Sequence, residues 1–388
     1  MPRGPSSTNK SRGNSARYLD TVRVESEDGA SFDIFNSLSI ANDFMAPSEA
    51  AFEVGDDGTW GELEDLTGMG KKFKVFVNDR LRLTGRVELN NIPIDASSGA
   101  VTRFSVRTLM ADAMYACANP NVNVKSTSIK DFILYLWAPL GVKESDFVFL
   151  ADVSRNLMTG VSSDGTKPKV VLEDLNEEQA KVNPPETIFQ ASDRHLQRHG
   201  FMIWDAPDGK IVVGAPDDKQ TILYQFRMFG ENSRRNMNNV LSMQRTKDWS
   251  GVPGLLYVAG TGGNKEWTKS KVRGFVTQNE LDQAGFYRPV LIVNEGLKND
   301  QLAQRQAARE MTNRSKRMDT WTITTDGLSY FDGNDRFQYG IDTTAEVISS
   351  VAGGPNGAYL VTRVQLSRNP REGDTSELTL LKRGLWRL

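Results

Sequence analysis

The chain has 388 residues, 38% of them hydrophobic, with a formal net charge of -2, an isoelectric point of about 5.9 and a mean hydropathy of -0.45. That length exceeds one ordinary core, so about two to four domains are expected, and the near-neutral charge excludes a globally basic surface built to hold nucleic acid. A lone cysteine, Cys117, excludes an intramolecular disulfide framework and fits a reducing compartment, while no apolar run has the length of a membrane span or the form of a secretory signal.

Residues 1–17, MPRGPSSTNKSRGNSAR, carry Arg3, Lys10, Arg12 and Arg17 without an acid and read as a basic N-terminal arm. Residues 18–110 read as β. Thr21–Glu25 and Ser31–Phe35 flank a turn at Glu27-Asp28-Gly29, and Lys72–Val77 and Arg80–Val87 alternate on either side of Asn78-Asp79. Leu81, Leu83, Gly85 and Val87 share one face of the latter strand; Arg80, Arg82, Thr84 and Arg86 share the other. Arg103, Ser105 and Arg107 extend that basic face against Phe104 and Val106. Short strands joined by turns predict a small barrel or sandwich. Between them runs an acidic segment, Glu49–Asp65, with Asp56, Asp57, Glu62, Glu64 and Asp65.

Residues 111–238 are mixed. Ser128 is placed to cap a helix over Ile129–Trp137, with Ile129, Phe132, Ile133 and Leu136 inward, and Pro139 and Gly141 end it. Ala151–Asn183 is polar and weakly periodic, as a long loop would be. Pro184–Pro216, PPETIFQASDRHLQRHGFMIWDAPDGKIVVGAP, follows. Ile188, Ala191, His195, Leu196 and His199 lie on one helical face and Gly200 stops the helix. Phe201–Trp204 and Ile211–Val213 then pair across a two-residue turn at Asp208-Gly209.

Residues 239–330 return to β, with strands at Leu255–Ala259, Lys271–Thr277, Pro289–Val293 and Thr320–Thr325. A helix over Asn299–Met318 interrupts them, with Leu302, Ala303, Ala307 and Met311 inward. Its Arg305, Arg309, Arg314, Lys316 and Arg317 suit the negative end of the helix dipole. In residues 331–388 strands are expected at Phe337–Ile341, Ala358–Leu366 and Glu377–Lys382. The fold class that follows is α+β. Two β-rich parts, 18–110 and 239–330, flank a mixed α/β middle domain, 111–238, and hint at a pair of small β-barrel domains without any sequence-level repeat, and a C-terminal β-hairpin region, 331–388, completes the chain.

No constellation of residues assembles an active site. His195 and His199 are spaced like two zinc ligands, but no general-base glutamate lies between them and no third ligand is near, so a packed helix face is expected. Gly260-Thr261-Gly262-Gly263-Asn264 lacks the Lys-Ser/Thr of a phosphate loop and reads as a hairpin tip. Cys117 reads as a buried small apolar residue. The carboxylates of Glu49–Asp65 crowd one loop instead of facing each other across a cleft. The face of Arg80, Arg82, Arg86, Arg103 and Arg107 lacks aromatics to stack bases, and is expected to be solvated or to meet an acidic neighbour such as Glu49–Asp65 of another subunit. No catalytic, cofactor or metal residue is assigned.

The Pro184–Pro216 module resembles the "GET, helix, G, strand, DG, strand" module of baseplate hub proteins of contractile-tailed phages, the Mu-like tail hub family, with Pro185 replacing the first glycine. Three further segments are similar to that family, in the family's order. They are GKKFKVFVNDRLRLTGRVEL (Gly70–Leu89), NDQLAQRQAAREMTNRSKRMDTWTITTDG (Asn299–Gly327) and AYLVTRVQLSRNPREGDTSELTLL (Ala358–Leu381). The basic arm and the polar insert at 151–183 depart from it. The resemblance implies a homotrimer with two tail-tube-like barrels per chain, forming a pseudo-hexameric ring between the six-fold tail tube and the three-fold central spike. Its implied partners are the central spike, the tail tube or a tube-terminating protein, the baseplate wedge proteins and the tape measure protein, with DNA only in transit through the lumen. The implied location is the virion tail baseplate, assembled in the host cytoplasm, and the implied role is structural, with no enzyme activity and no cofactor. The alternatives are a tail-tip peptidoglycan hydrolase, a nucleic-acid-binding protein and a type VI or pyocin-like spike component. A fused needle would need repetitive β-sequence, which this chain lacks, so a separate spike protein is expected.

Overall fold

A computed structural model describes residues 20–383 except 30, 34, 45, 56–66, 93, 96–98, 122–125, 151–173, 177–179, 198–200, 233, 261–271, 295–296, 298, 316–317, 333–334 and 371–372. The expected basic arm, most of the polar loop at 151–183, most of the acidic segment and the glycine run after Gly260 lie outside the described residues.

The first strands are β1 (Val22–Ser26), β2 (Ser31–Phe32), β3 (Ser37–Asp43), β4 (Ala46–Gly55), β5 (Lys72–Val77), β6 (Arg80–Asn91), β7 (Ile94–Asp95) and β8 (Gly99–Arg107). Alternation does what it should in β5, where Phe73, Val75 and Val77 are buried. Asn78 and Asp79 both take positive φ, 52° and 59°, and Val77 pairs with Arg80, so this is the two-residue hairpin turn whose twist suits its strands.

The middle of the chain forms α1 (Leu109–Tyr115), β9 (Ser126–Ser128), α2 (Ile129–Trp137), β10 (Phe147–Phe149), β11 (Asp174–Asn176), α3 (Ile188–Gln197), β12 (Met202–Asp205) and β13 (Ile211–Gly214). Ser128 Oγ accepts the Asp131 N–H at 3.0 Å, the expected cap of α2. Trp137 is buried and donates from Nε1 to Ser192 Oγ on α3 at 3.0 Å. The β12–β13 turn departs from expectation. Ala206 closes on Lys210 around Pro207-Asp208-Gly209, and Gly209 alone takes a positive φ, 84°. Proline at the second turn position favours a type I turn, which puts only the following glycine in the left-handed region and lengthens the loop to three residues.

The remainder forms β14 (Ile222–Met228), β15 (Ser242–Thr246), β16 (Leu255–Gly260), β17 (Arg273–Thr277), α4 (Asn279–Gln283), β18 (Pro289–Asn294), α5 (Asp300–Ser315), β19 (Thr320–Asp326), β20 (Tyr330–Asp332), β21 (Asp335–Phe337), β22 (Thr343–Ser349), β23 (Gly357–Asn369) and β24 (Gly373–Lys382). The strand expected over Phe337–Ile341 is corrected: Phe337 closes the β20–β21 hairpin, and the next strand starts at Thr343.

One 14-stranded sheet dominates, with path β15-β19-β24-β23-β3-β4-β8-β6-β5-β1-β2, with β22 and β14 branching from β23 and β7 from β8. The expected barrels do not close among the described residues. Closure of the N-terminal strands would need β3 to return to β1 or β2; it pairs instead with β23, with Ile40 opposite Leu366. The two β-rich regions therefore share one core, from Ile40, Phe52, Phe73 and Phe104 to Val240, Trp321 and Ile323, and Tyr224, Phe226, Val364 and Leu378 from the flanking regions join it. Residues 239–330 are divided. β15 and β19 join the large sheet, whereas β16, β17 and β18 make a separate three-stranded sheet against α5. Leu302, Ala303, Ala307 and Met311 are the buried stripe of α5, as its spacing predicts. Among the described residues no helix is long and apolar enough to cross a membrane.

Candidate interaction surface

The residues singled out in the sequence do not converge. His195 is buried and meets the Phe132 ring edge-on at 5.1 Å, while His199 lies outside the described residues. Among the described residues no group of His, Cys, Asp or Glu could hold a metal ion. Cys117 is exposed, not buried, and its backbone makes an isolated antiparallel bridge to Thr187. Gly260 ends β16, where a Cβ would stand 2.6 Å from the Leu297 Cβ, so close packing occupies it.

The basic strand face is corrected in two ways. A β-bulge in β6 between the pairs Val75–Leu83 and Phe76–Leu81 breaks the alternation, so Arg82 is buried together with Leu83. Its Nη1 donates to the Tyr339 carbonyl and its Nη2 to Asn42 Oδ1 at 2.9 Å. Burial without a facing carboxylate pulls the guanidinium pKa down to about 10. Arg86, Arg103 and Arg107 are satisfied inside the chain, while Arg80 is exposed. Arg103 pairs with Glu53 at 2.9 Å, Arg107 with Glu49 and Glu88 at 3.3 and 3.1 Å, and Arg86 with Asp112. Glu49 and Glu53 lie directly opposite Arg107 and Arg103 across β4 and β8, so register supplies the partners expected from another subunit. Burial alone would lower the Arg107 pKa, but the two glutamates hold it above its ordinary value.

The most distinctive surface is one that sequence reading passed over. In the β17-β16-β18 sheet, Leu256, Val258, Val276 and Ile292 face α5. Gly274 admits the helix, since a Cβ there would stand 2.3 Å from the Ala303 carbonyl carbon. Strand alternation puts the other positions on the opposite face, in three rows given by the pairing: Arg273–Ala259–Val293, Phe275–Tyr257–Leu291 and Thr277–Leu255–Pro289. This face is open. Phe275 is 60% exposed, Leu291 53%, Val293 44% and Tyr257 43%. Arg273 is its one charged position. Unbroken apolar runs such as PVLIV and LLYVA mark strands covered on both faces. That was the available signal; which face the fold leaves open was not in it.

The lobe bearing this face is held firmly. Arg309 of α5, almost fully buried, pairs with Asp193 of α3 at 3.0 Å. The middle lobe is in turn tied to the large sheet by Asp205 of β12, which accepts the Ser48 N–H at 2.8 Å and the Thr108 hydroxyl at 2.6 Å. Burial outweighs these bonds and pushes the Asp205 pKa up to about 6.

No family model and no curated protein matches the chain. Among solved structures it is similar to the tail protein from Neisseria meningitidis MC58, with 19% identity and a TM-score of 0.72, over 95% of this chain and 98% of that one. The 43 kDa tail protein of prophage MuSo2 from Shewanella oneidensis gives 15% and 0.70, over 94% and 99%. An E. coli protein described as a component of the type VI secretion system with structural similarity to T4 bacteriophage tail proteins gives 10% and 0.51, over 92% and 76%. The chain thus has the fold of phage tail proteins, consistent with the Mu-like baseplate hub resemblance of its sequence.

Proposed function

We propose that a chain with this tail-protein fold works as a structural baseplate hub. In this reading three copies form a pseudo-hexameric ring that joins the six-fold tail tube to the three-fold central spike. The ring contacts the spike, the tube or its terminating protein and the wedge proteins, and encloses the passage for tape measure and DNA. Its place is the virion tail, and it binds and positions without catalysis.

The observation that supports this best is the extent of the likeness: nearly all of this chain and nearly all of two phage tail proteins superpose, with TM-scores of 0.72 and 0.70. An open apolar sheet face, and arginines consumed by internal ion pairs, suit a protein that assembles with others more than one that grips DNA. The test is sedimentation and electron microscopy of the purified full chain. Ring-shaped trimers are expected, and a chain that stays monomeric with its tube and spike proteins present contradicts the hub.

A further inference from the structure

The β17-β16-β18 sheet is apolar on both faces, and the chain's own α5 covers one of them. We propose that the other face, centred on Tyr257, Phe275 and Leu291, is the seat of a neighbouring copy of this chain. The inference rests on the trimeric ring reading and assigns that ring an interface.

Composition argues for a permanent occupant. Interfaces between copies of one chain resemble a core cut in half, with charge depleted at the centre. Here Phe275, Tyr257 and Leu291 make the central row, and the single charge, Arg273, stands at a corner. Area argues for a large occupant. Strands about 4.8 Å apart and a rise of about 3.3 Å per residue give the face roughly 240 Å². A stable interface buries about 800 Å² on each partner, so the occupant must extend well past the lobe. A short peptide or a lone helix covering the grid falls short; a whole chain does not. Charge permits it, since copies with a net charge of -2 repel one another little. Symmetry completes the case. Every copy presents one such face, and a closed ring of unlike patches covers each face with the next copy, leaving none exposed. The surface is also preorganised, because Gly274 seats the sheet on α5 and Arg309 ties α5 to Asp193.

The experiment uses the full chain in two forms. In the first, a photo-crosslinking phenylalanine analogue replaces Tyr257; irradiation is expected to yield an adduct of twice the chain mass. In the second, Phe275→Asp, checked for wild-type circular dichroism, is expected to lower the trimer fraction at least tenfold at a concentration where wild type is trimeric. Wild-type trimers that give no self-adduct through position 257 and survive Phe275→Asp overturn this inference and leave the ring reading standing. A monomeric wild type overturns the ring reading, and this interface with it.

Discussion

Arg82 and Asp205 are the two ends of one buried hydrogen-bond chain. Arg82 Nη2 donates to Asn42 Oδ1, Asn42 Nδ2 donates to Ser48 Oγ at 3.0 Å, and the Ser48 N–H donates to Asp205 Oδ2. At its far end Arg82 also holds the Tyr339 carbonyl. A cation and an anion that never touch are thus joined by neutral groups, and the relay links the segment between β21 and β22, the N-terminal strands and the middle lobe.

Asp205 makes stability pH-dependent. Its folded pKa of about 6 exceeds the ordinary 3.8, so the folded state binds the proton more tightly and stability falls as pH rises from about 4 through about 6. The difference corresponds to about 3 kcal/mol at most. Asp205→Asn keeps an acceptor for Ser48 and is expected to flatten that slope. Urea denaturation at a series of pH values measures it; an unchanged slope contradicts the assignment.

Arg82→Lys is expected to destabilise by about 1–3 kcal/mol, because one ammonium cannot serve both Tyr339 and Asn42 and leaves a buried acceptor unsatisfied. Combined with Asp205→Asn its effect should be non-additive by about 0.5 kcal/mol or more, since both ends share the relay. Chemical denaturation of the two single variants and the double variant closes the cycle, and strict additivity rules the coupling out.

Asp20 joins the start of the large sheet to a turn more than three hundred residues later. Its carboxylate accepts from Asn78 Nδ2 at 2.6 Å and from the backbone N–H of Leu328. Removing it with Asp20→Ala leaves that N–H buried without its acceptor, at an expected cost of about 2–3 kcal/mol. Faster hydrogen exchange at Leu328 should accompany the lower denaturation midpoint; unaltered exchange there shows that the clamp is not needed.

Gly274→Ala should loosen α5 from its sheet. The added methyl meets backbone of Ala303, which cannot rotate away, so an expected loss of about 1–3 kcal/mol falls mainly on the small lobe. Hydrogen exchange across 300–315 reads the effect directly, and native-like protection there refutes it.

Where partners lie close along the chain, local rules were enough. Ser128 caps α2, Asn78-Asp79 turns β5 into β6, and the stripe of Leu302, Ala303, Ala307 and Met311 faces its sheet. Each is settled within a few residues by backbone geometry and spacing. The ordered likeness of four segments to tail hub proteins pointed to the fold that the structural neighbours share.

What alternation could not carry was the effect of distant partners. A bulged pairing with β5 took Arg82 off the solvent face and into the core. The pairing of β3 with β23 kept the expected barrels from closing, and such a contact between distant segments leaves no local periodicity to read. The same limit holds for the open face of Tyr257, Phe275 and Leu291. Sequence determined that these strands are apolar on both sides. Only tertiary structure decided which side α5 would cover, because one helix, let in at Gly274, can lie on only one face.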